Sequence, residues 1–158
     1  MKKPLLISLI LFVTALSLFS CKTVTYTVTF DTDGGSRAEA QIIEEGKCAS
    51  KPENPTKEGY NFLGWFVGER EYKFDTSVND NVTVKAKWER KSYTVIFDAD
   101  GGNGSTEKTV MHGDTVKPPF PSKPKHNFLG WFDGDDKWDF DTKITSDLTL
   151  KAKWEPFK

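Results

Sequence analysis

The chain has 158 residues, of which 37% are hydrophobic and 28% charged, with a formal net charge of −1. Its 22 basic and 23 acidic residues are nearly balanced and unclustered. That leaves no electrostatic footprint for nucleic acid as a partner. Cys21 and Cys48 are the only cysteines, too few for a disulfide-stapled scaffold.

The first element is N-terminal. Met1-Lys2-Lys3-Pro4 precedes a 15-residue apolar run, Leu5 to Phe19, broken only by Ser8, Thr14 and Ser17. A basic start, a short hydrophobic stretch and a small residue before a break form a secretory signal. A membrane-spanning helix would need roughly 20 apolar residues. Leu18-Phe19-Ser20-Cys21 resembles the bacterial lipoprotein processing box, in which a diacylglycerol joins the cysteine thiol and the signal is cut before it. Phe19 stands where that box usually holds a small or short branched residue. The resemblance implies a signal over 1–20, lipid on Cys21, a tether over 21–25 and membrane contact through the N-terminal lipid. Two or more acyl chains anchor stably where one does not. Lys22 rather than Asp after the cysteine fits outer-membrane sorting. With Cys21 lipidated, Cys48 has no intramolecular partner. It is either a buried small apolar residue, the expected state, or an exposed thiol.

The remainder is one unit written twice. Tyr26-Thr27-Val28-Thr29-Phe30-Asp31-Thr32-Asp33-Gly34-Gly35 matches Tyr93-Thr94-Val95-Ile96-Phe97-Asp98-Ala99-Asp100-Gly101-Gly102 at an offset of 67. Asn61-Phe62-Leu63-Gly64-Trp65-Phe66 and Lys85-Ala86-Lys87-Trp88-Glu89 recur at an offset of 66. Matches this long at a nearly fixed offset signal duplication. The repeats span 26–89 and 93–155, with a linker over 90–92 and a tail over 156–158. The linker is too short for a flexible tether, so a semi-rigid rod is expected.

In each repeat Tyr26, Val28 and Phe30 (Tyr93, Val95 and Phe97) alternate with threonines or other residues, as in a half-buried strand. The Asp- and Gly-rich segment after it predicts a turn. A second strand is expected over Ala38–Glu44 and Thr106–Met111. The connections Lys51–Gly59 and Lys117–Lys125 carry six prolines. They argue against a long helix and leave room for a short helical turn. A third strand is expected over Tyr60–Val67 and His126–Asp133. The last alternates Val82, Val84, Ala86 and Trp88 with Thr83, Lys85 and Lys87, and likewise over Leu148–Trp154. Trp65, Trp88, Trp131 and Trp154 read as core. Trp138, with its counterpart Tyr72, reads as a semi-exposed candidate for partner contact.

Taken together, the opening strand with its Asp and Gly-Gly, the Pro-Thr-Lys-Glu-Gly-Tyr-Asn-Phe-Leu-Gly-Trp-Phe stretch and the closing Val-Thr-Val-Lys-Ala-Lys-Trp resemble the Listeria–Bacteroides repeat. This family includes the B repeat of internalin-type proteins. The second copy departs at Pro124-Lys125-His126, where the first has Glu58-Gly59-Tyr60. The resemblance implies an α+β, mainly β fold of two tandem β-grasp-like modules in a bacterial surface or secreted protein. It implies no enzymatic activity.

The residues carry little catalytic chemistry. His112 and His126 are the only histidines, and neither shares a nucleophile or zinc-site pattern with a cysteine or serine. No catalytic residue, cofactor or metal ligand is assigned. Asp98, Asp100 and Asn103 around the glycine loop are the nearest approach to a calcium site, and Asx-type turns explain them without a metal. The acidic run Asp133, Asp135, Asp136, Asp139 and Asp141 reads as a solvated loop. The expectation is a non-enzymatic, lipid-anchored envelope protein that binds a protein or host surface, adhesin-like in kind. The alternative is a structural spacer or envelope assembly component.

Overall fold

The computed structural model describes residues 22–158. The segment expected to be a signal, 1–20, and the expected lipidation site Cys21 lie outside the described residues. Each repeat forms its own five-stranded sheet. The first contains β1 (Thr25–Asp31), β2 (Gln41–Glu44), β3 (Tyr60–Val67), β4 (Arg70–Glu71) and β5 (Val82–Arg90), in the order β2-β1-β5-β3-β4. The second contains β6 (Ser92–Asp98), β7 (Thr106–Met111), β8 (His126–Asp133), β9 (Asp136–Lys137) and β10 (Leu148–Pro156), in the order β7-β6-β10-β8-β9. β1 pairs with β5, and β6 with β10, in parallel; the other pairings are antiparallel.

The expected α+β, β-grasp-like class is corrected to all-β, because the described residues contain no helix. The connections assigned room for a helical turn are irregular chain ending in turns at Glu58–Gly59 and Pro124–Lys125. Proline removes backbone donors and holds the preceding residue out of the helical region. The connection is also held by partners outside itself. Ser36 N–H donates to Thr56 O at 2.8 Å, and Gln41 bonds both N–H and C=O of Ser50 through its side-chain amide.

One face of each sheet is buried. Val28, Phe30, Trp65, Val84 and Ala86 form the first core; Val95, Phe97, Trp131, Leu150 and Ala152 form the second. Irregular chain covers these faces. In the first repeat Val78 N–H donates to Lys47 O at 2.7 Å and Gly46 N–H to Val78 O at 3.1 Å. That pairing sets Val78 and Ala49 on the sheet, each 4% exposed. Ile144 and Val116 do the same in the second repeat. Edge-on contacts of Phe30 with Trp65 and Phe97 with Trp131, both at 4.9 Å between centroids, fill the centre. This geometry suits the aromatic quadrupole. The four tryptophans read as core are placed accordingly, with Trp65 and Trp131 buried and Trp88 and Trp154 half-buried against them.

The closing tryptophan also explains the paired glycines. Trp88 Nε1–H donates to Thr32 O at 3.0 Å, and Trp154 Nε1–H to Ala99 O at 2.8 Å. The indole therefore lies on the turn after the first strand. A Cβ on Gly35 would stand 2.5 Å from Trp88 Cζ2, and one on Gly102 would stand 2.7 Å from Trp154 Cζ2. Gly35→Ala or Gly102→Ala should each destabilise by about 1–3 kcal/mol, the usual cost of overpacking. Urea unfolding monitored by tryptophan fluorescence checks this, and an unchanged midpoint would refute the indole–glycine contact.

Candidate interaction surface

The open face of each sheet carries the exposed side chains. Its form follows from a local irregularity in β3 and β8. Phe62 pairs with Trp88 and Gly64 with Lys87, leaving Leu63 as an extra residue; Leu129 is the extra residue between Phe128 and Gly130. Such a bulge re-aims side chains. Phe62 and Trp65 both face the core, their rings 5.5 Å apart, although strict alternation would place them on opposite faces. Leu63 is turned outward and is 54% exposed; Leu129 is 43% exposed. Regular alternation gave no sign of this. The Phe-x-x-Trp spacing, with two core aromatics three residues apart, was the available signal.

Beside the bulge, Lys87 Nζ sits 4.6 Å from the Phe66 ring centroid, and Lys153 Nζ sits 4.5 Å from that of Phe132. Lys57 lies over Tyr60 and Trp88. In the first repeat these residues line a shallow groove of about 540 Å³ with Leu63, Asp33 and Lys85. Its charges are paired. Lys85 meets Asp33 at 2.6 Å and Lys87 meets Glu69 at 2.5 Å. The Lys85 hydrogen bond holds the Asp33 carboxyl below its usual range and the lysine above its own. Lys87 likewise lowers Glu69.

Tyr72 and Trp138 occupy equivalent places just after β4 and β9, one in each repeat. Each is half-buried and packed against its own core. Their amides bond Trp65 O and Trp131 O at 2.7 and 2.9 Å. Tyr72 meets Phe74 edge-on at 5.0 Å. Burial, then Cys48, pushes the Tyr72 phenol up. The Trp138 indole nitrogen is buried without a partner.

Cys48 departs from the expected buried state. It is exposed, at an isolated bridge to Ser77, while its neighbour Ala49 takes the core position. The candidate calcium residues form turns. Asp98 Oδ1 accepts from Asp100 N–H at 2.9 Å, as Asp31 does from Asp33. Among the described residues no group of three or more His, Cys, Asp or Glu is placed to hold a metal. The acidic run is exposed, with Asp135 bonded to Lys153.

The fold and surface define an all-β tandem-repeat protein. A family model described as the Listeria-Bacteroides repeat domain matches residues 26–87 and 93–153, and the chain belongs to this family. A "Putative membrane protein" of Evansella cellulosilytica is 38% identical over 138 residues, covering 82% of this chain and 21% of that protein. "Internalin H" of Listeria monocytogenes is 34% identical over 142 residues, covering 84% of this chain and 25% of that protein. The chain thus spans a quarter or less of the length of these relatives. Streptococcal High Identity Repeats in Tandem domains 3–4 from a cell surface protein align at 18% identity with a TM-score of 0.33. That alignment covers 84% of this chain and 98% of that one. The family membership agrees with a non-enzymatic protein.

Cys48 should react stoichiometrically with a thiol reagent in the native protein, without denaturant; reaction only after unfolding would contradict its exposure. The Asp33 and Glu69 pKa values are depressed, so their contribution is present above the unfolded carboxylate range, about pH 4. It is lost as pH falls through the lower folded values. Stability should therefore fall on the acid side. Lys85→Met with Lys87→Met should flatten that slope modestly, as exposed pairs contribute little. Thermal melts from pH 2 to 7 measure it, and an unaltered slope would exclude these pairs as its source.

Proposed function

We propose that the chain is a lipid-anchored, non-enzymatic surface-interaction protein of the bacterial envelope, binding a protein or host-surface ligand. The observation that carries this reading is the repeated open face. Each of two sheets presents an outward leucine beside a lysine-capped phenylalanine. Relatives described as a membrane protein and an internalin support an envelope setting. Exposed edge strands β2 and β7 offer a second mode, since an unpaired edge accepts a partner strand. Cys21 is the proposed lipidation site, with the signal over 1–20 and placement at the outer membrane. Trp138 and Tyr72 are the proposed contact residues at the far end of each sheet. The second reading, a spacer or envelope assembly component, is favoured by the short connection between the repeats.

Labelled residues 22–158 titrated onto host cells and onto the producer's own envelope fragments separate the two readings. Saturable, competable binding to host cells supports the interaction role; binding to self envelope alone supports assembly. Trp138→Phe, which keeps an aromatic ring against the core, should weaken host binding about fivefold or more if Trp138 is an energetic anchor. Unchanged affinity would remove Trp138 from the contact. Chain recovered from membranes should expose one free thiol, Cys48, and carry added acyl mass at Cys21. A second free thiol would overturn the lipid assignment.

A further inference from the structure

The junction between the repeats is built from residues that the duplication does not share. β5 ends at Arg90 and β6 begins at Ser92, with Lys91 between them. Lys91 bonds both sides. Its N–H donates to Gly59 O of the first repeat at 2.8 Å, and its C=O accepts from His112 N–H of the second at 2.8 Å. Arg90 reaches across with Nε–H donating to His112 O at 2.9 Å and its guanidinium spanning both Asp114 oxygens, at 2.6 and 3.3 Å. Such bidentate pairs fix geometry as well as adding attraction. The His112 ring lies over Gly59, where any Cβ would fall inside the imidazole.

The equivalent positions differ. The second repeat has Lys125 for Gly59 and Pro156 for Arg90; the first has Glu45 for His112 and Lys47 for Asp114. Both backbone bonds recur elsewhere in the repeats: Glu45 N–H donates to Val24 O at 2.9 Å, as His112 does to Lys91. Phe157 N–H donates to Lys125 O at 2.9 Å, as Lys91 does to Gly59. Lys125 adopts φ +60°, close to the +75° of Gly59, so a lysine tolerates this backbone in the repeat. What the second repeat lacks is the open space above the backbone and the arginine.

We propose that Gly59 and Arg90 form a selective socket for a following repeat that carries His112 and Asp114, locking these two repeats into one rigid unit. The partner the surface fits is a repeat of this family with histidine and aspartate at those positions. The inference does not depend on ligand binding by the open faces.

The test is amide hydrogen exchange with residual dipolar couplings on the full chain in detergent. In the wild type the Lys91 and His112 amides should exchange slowly, and both repeats should fit a single alignment tensor. Gly59→Lys, which imports the second repeat's own residue, should accelerate those two amides at least tenfold and require two tensors. The Val28 and Val95 amides should stay protected. Adding His112→Ala should restore a single tensor. Arg90→Ala, remote from the cores, should accelerate the same amides, and it decides the matter where Gly59→Lys loses core protection. Two independent tensors in the wild type would overturn the proposal. So would junction amides unmoved by Gly59→Lys or Arg90→Ala, or no recovery on removing the imidazole from an otherwise folded Gly59→Lys chain.

Discussion

Each repeat must cover one face of a five-stranded sheet without a helix, and the rest of the structure follows from that constraint. A sheet buries its apolar face against a second layer. Here that layer is two irregular segments, and a loop brings less regular apolar surface than a helix. The deficit is met by ring size. Large aromatic side chains supply much buried area each, and every repeat centres on a tryptophan with phenylalanines edge-on around it. A module of about 65 residues lies near the lower bound for independent folding, so little of this packing is dispensable.

Topology ties the ends of the repeat together. β5 comes last in its repeat yet lies between β1 and β3, so the sheet has no continuous centre until its final strand arrives. The same strand delivers Trp88, whose indole closes the turn leaving β1. A turn motif at the start of the repeat and a tryptophan at its end therefore form one structural unit. This is the physical reason why Gly-Gly and the closing Lys-Ala-Lys-Trp appear together in both copies.

Much of this was legible because period-two alternation persists over long strands. The first and last strand of each repeat were readable directly from that pattern, whereas Tyr60–Val67 and His126–Asp133 were readable from their aromatic runs after proline-bearing connections. β4 and β9 were not, since two residues carry no period. The helical part implied by the family resemblance is absent from the described residues because the proline content of the connection, and its bond from Ser36 to Thr56, hold it in irregular form. Cys48 misled through its apolar character, whereas register gave the buried place to Ala49. Leu63 was hidden because a bulge reverses the facing that alternation assigns. Trp138 and Tyr72 could be located as a matched pair from sequence. Their packing against the cores depends on backbone bonds to Trp65 and Trp131, which no local pattern encodes.

Comparison of the two copies separates two kinds of surface. Leu63 and Leu129, Phe66 and Phe132, and Lys87 and Lys153 are the same residue types in the same geometry. Gly59, Arg90, His112 and Asp114 each occur once. A duplicated surface can act twice on a repetitive ligand. Its gain over a single site is governed by effective concentration, which falls as the spacing between sites becomes less defined. A fixed joint narrows that spacing. It also restricts useful targets to those whose own repeat matches it, because geometry that forbids simultaneous engagement forfeits the gain. The same joint serves a spacer, for which constant length and direction are the function. The junction is therefore compatible with either role.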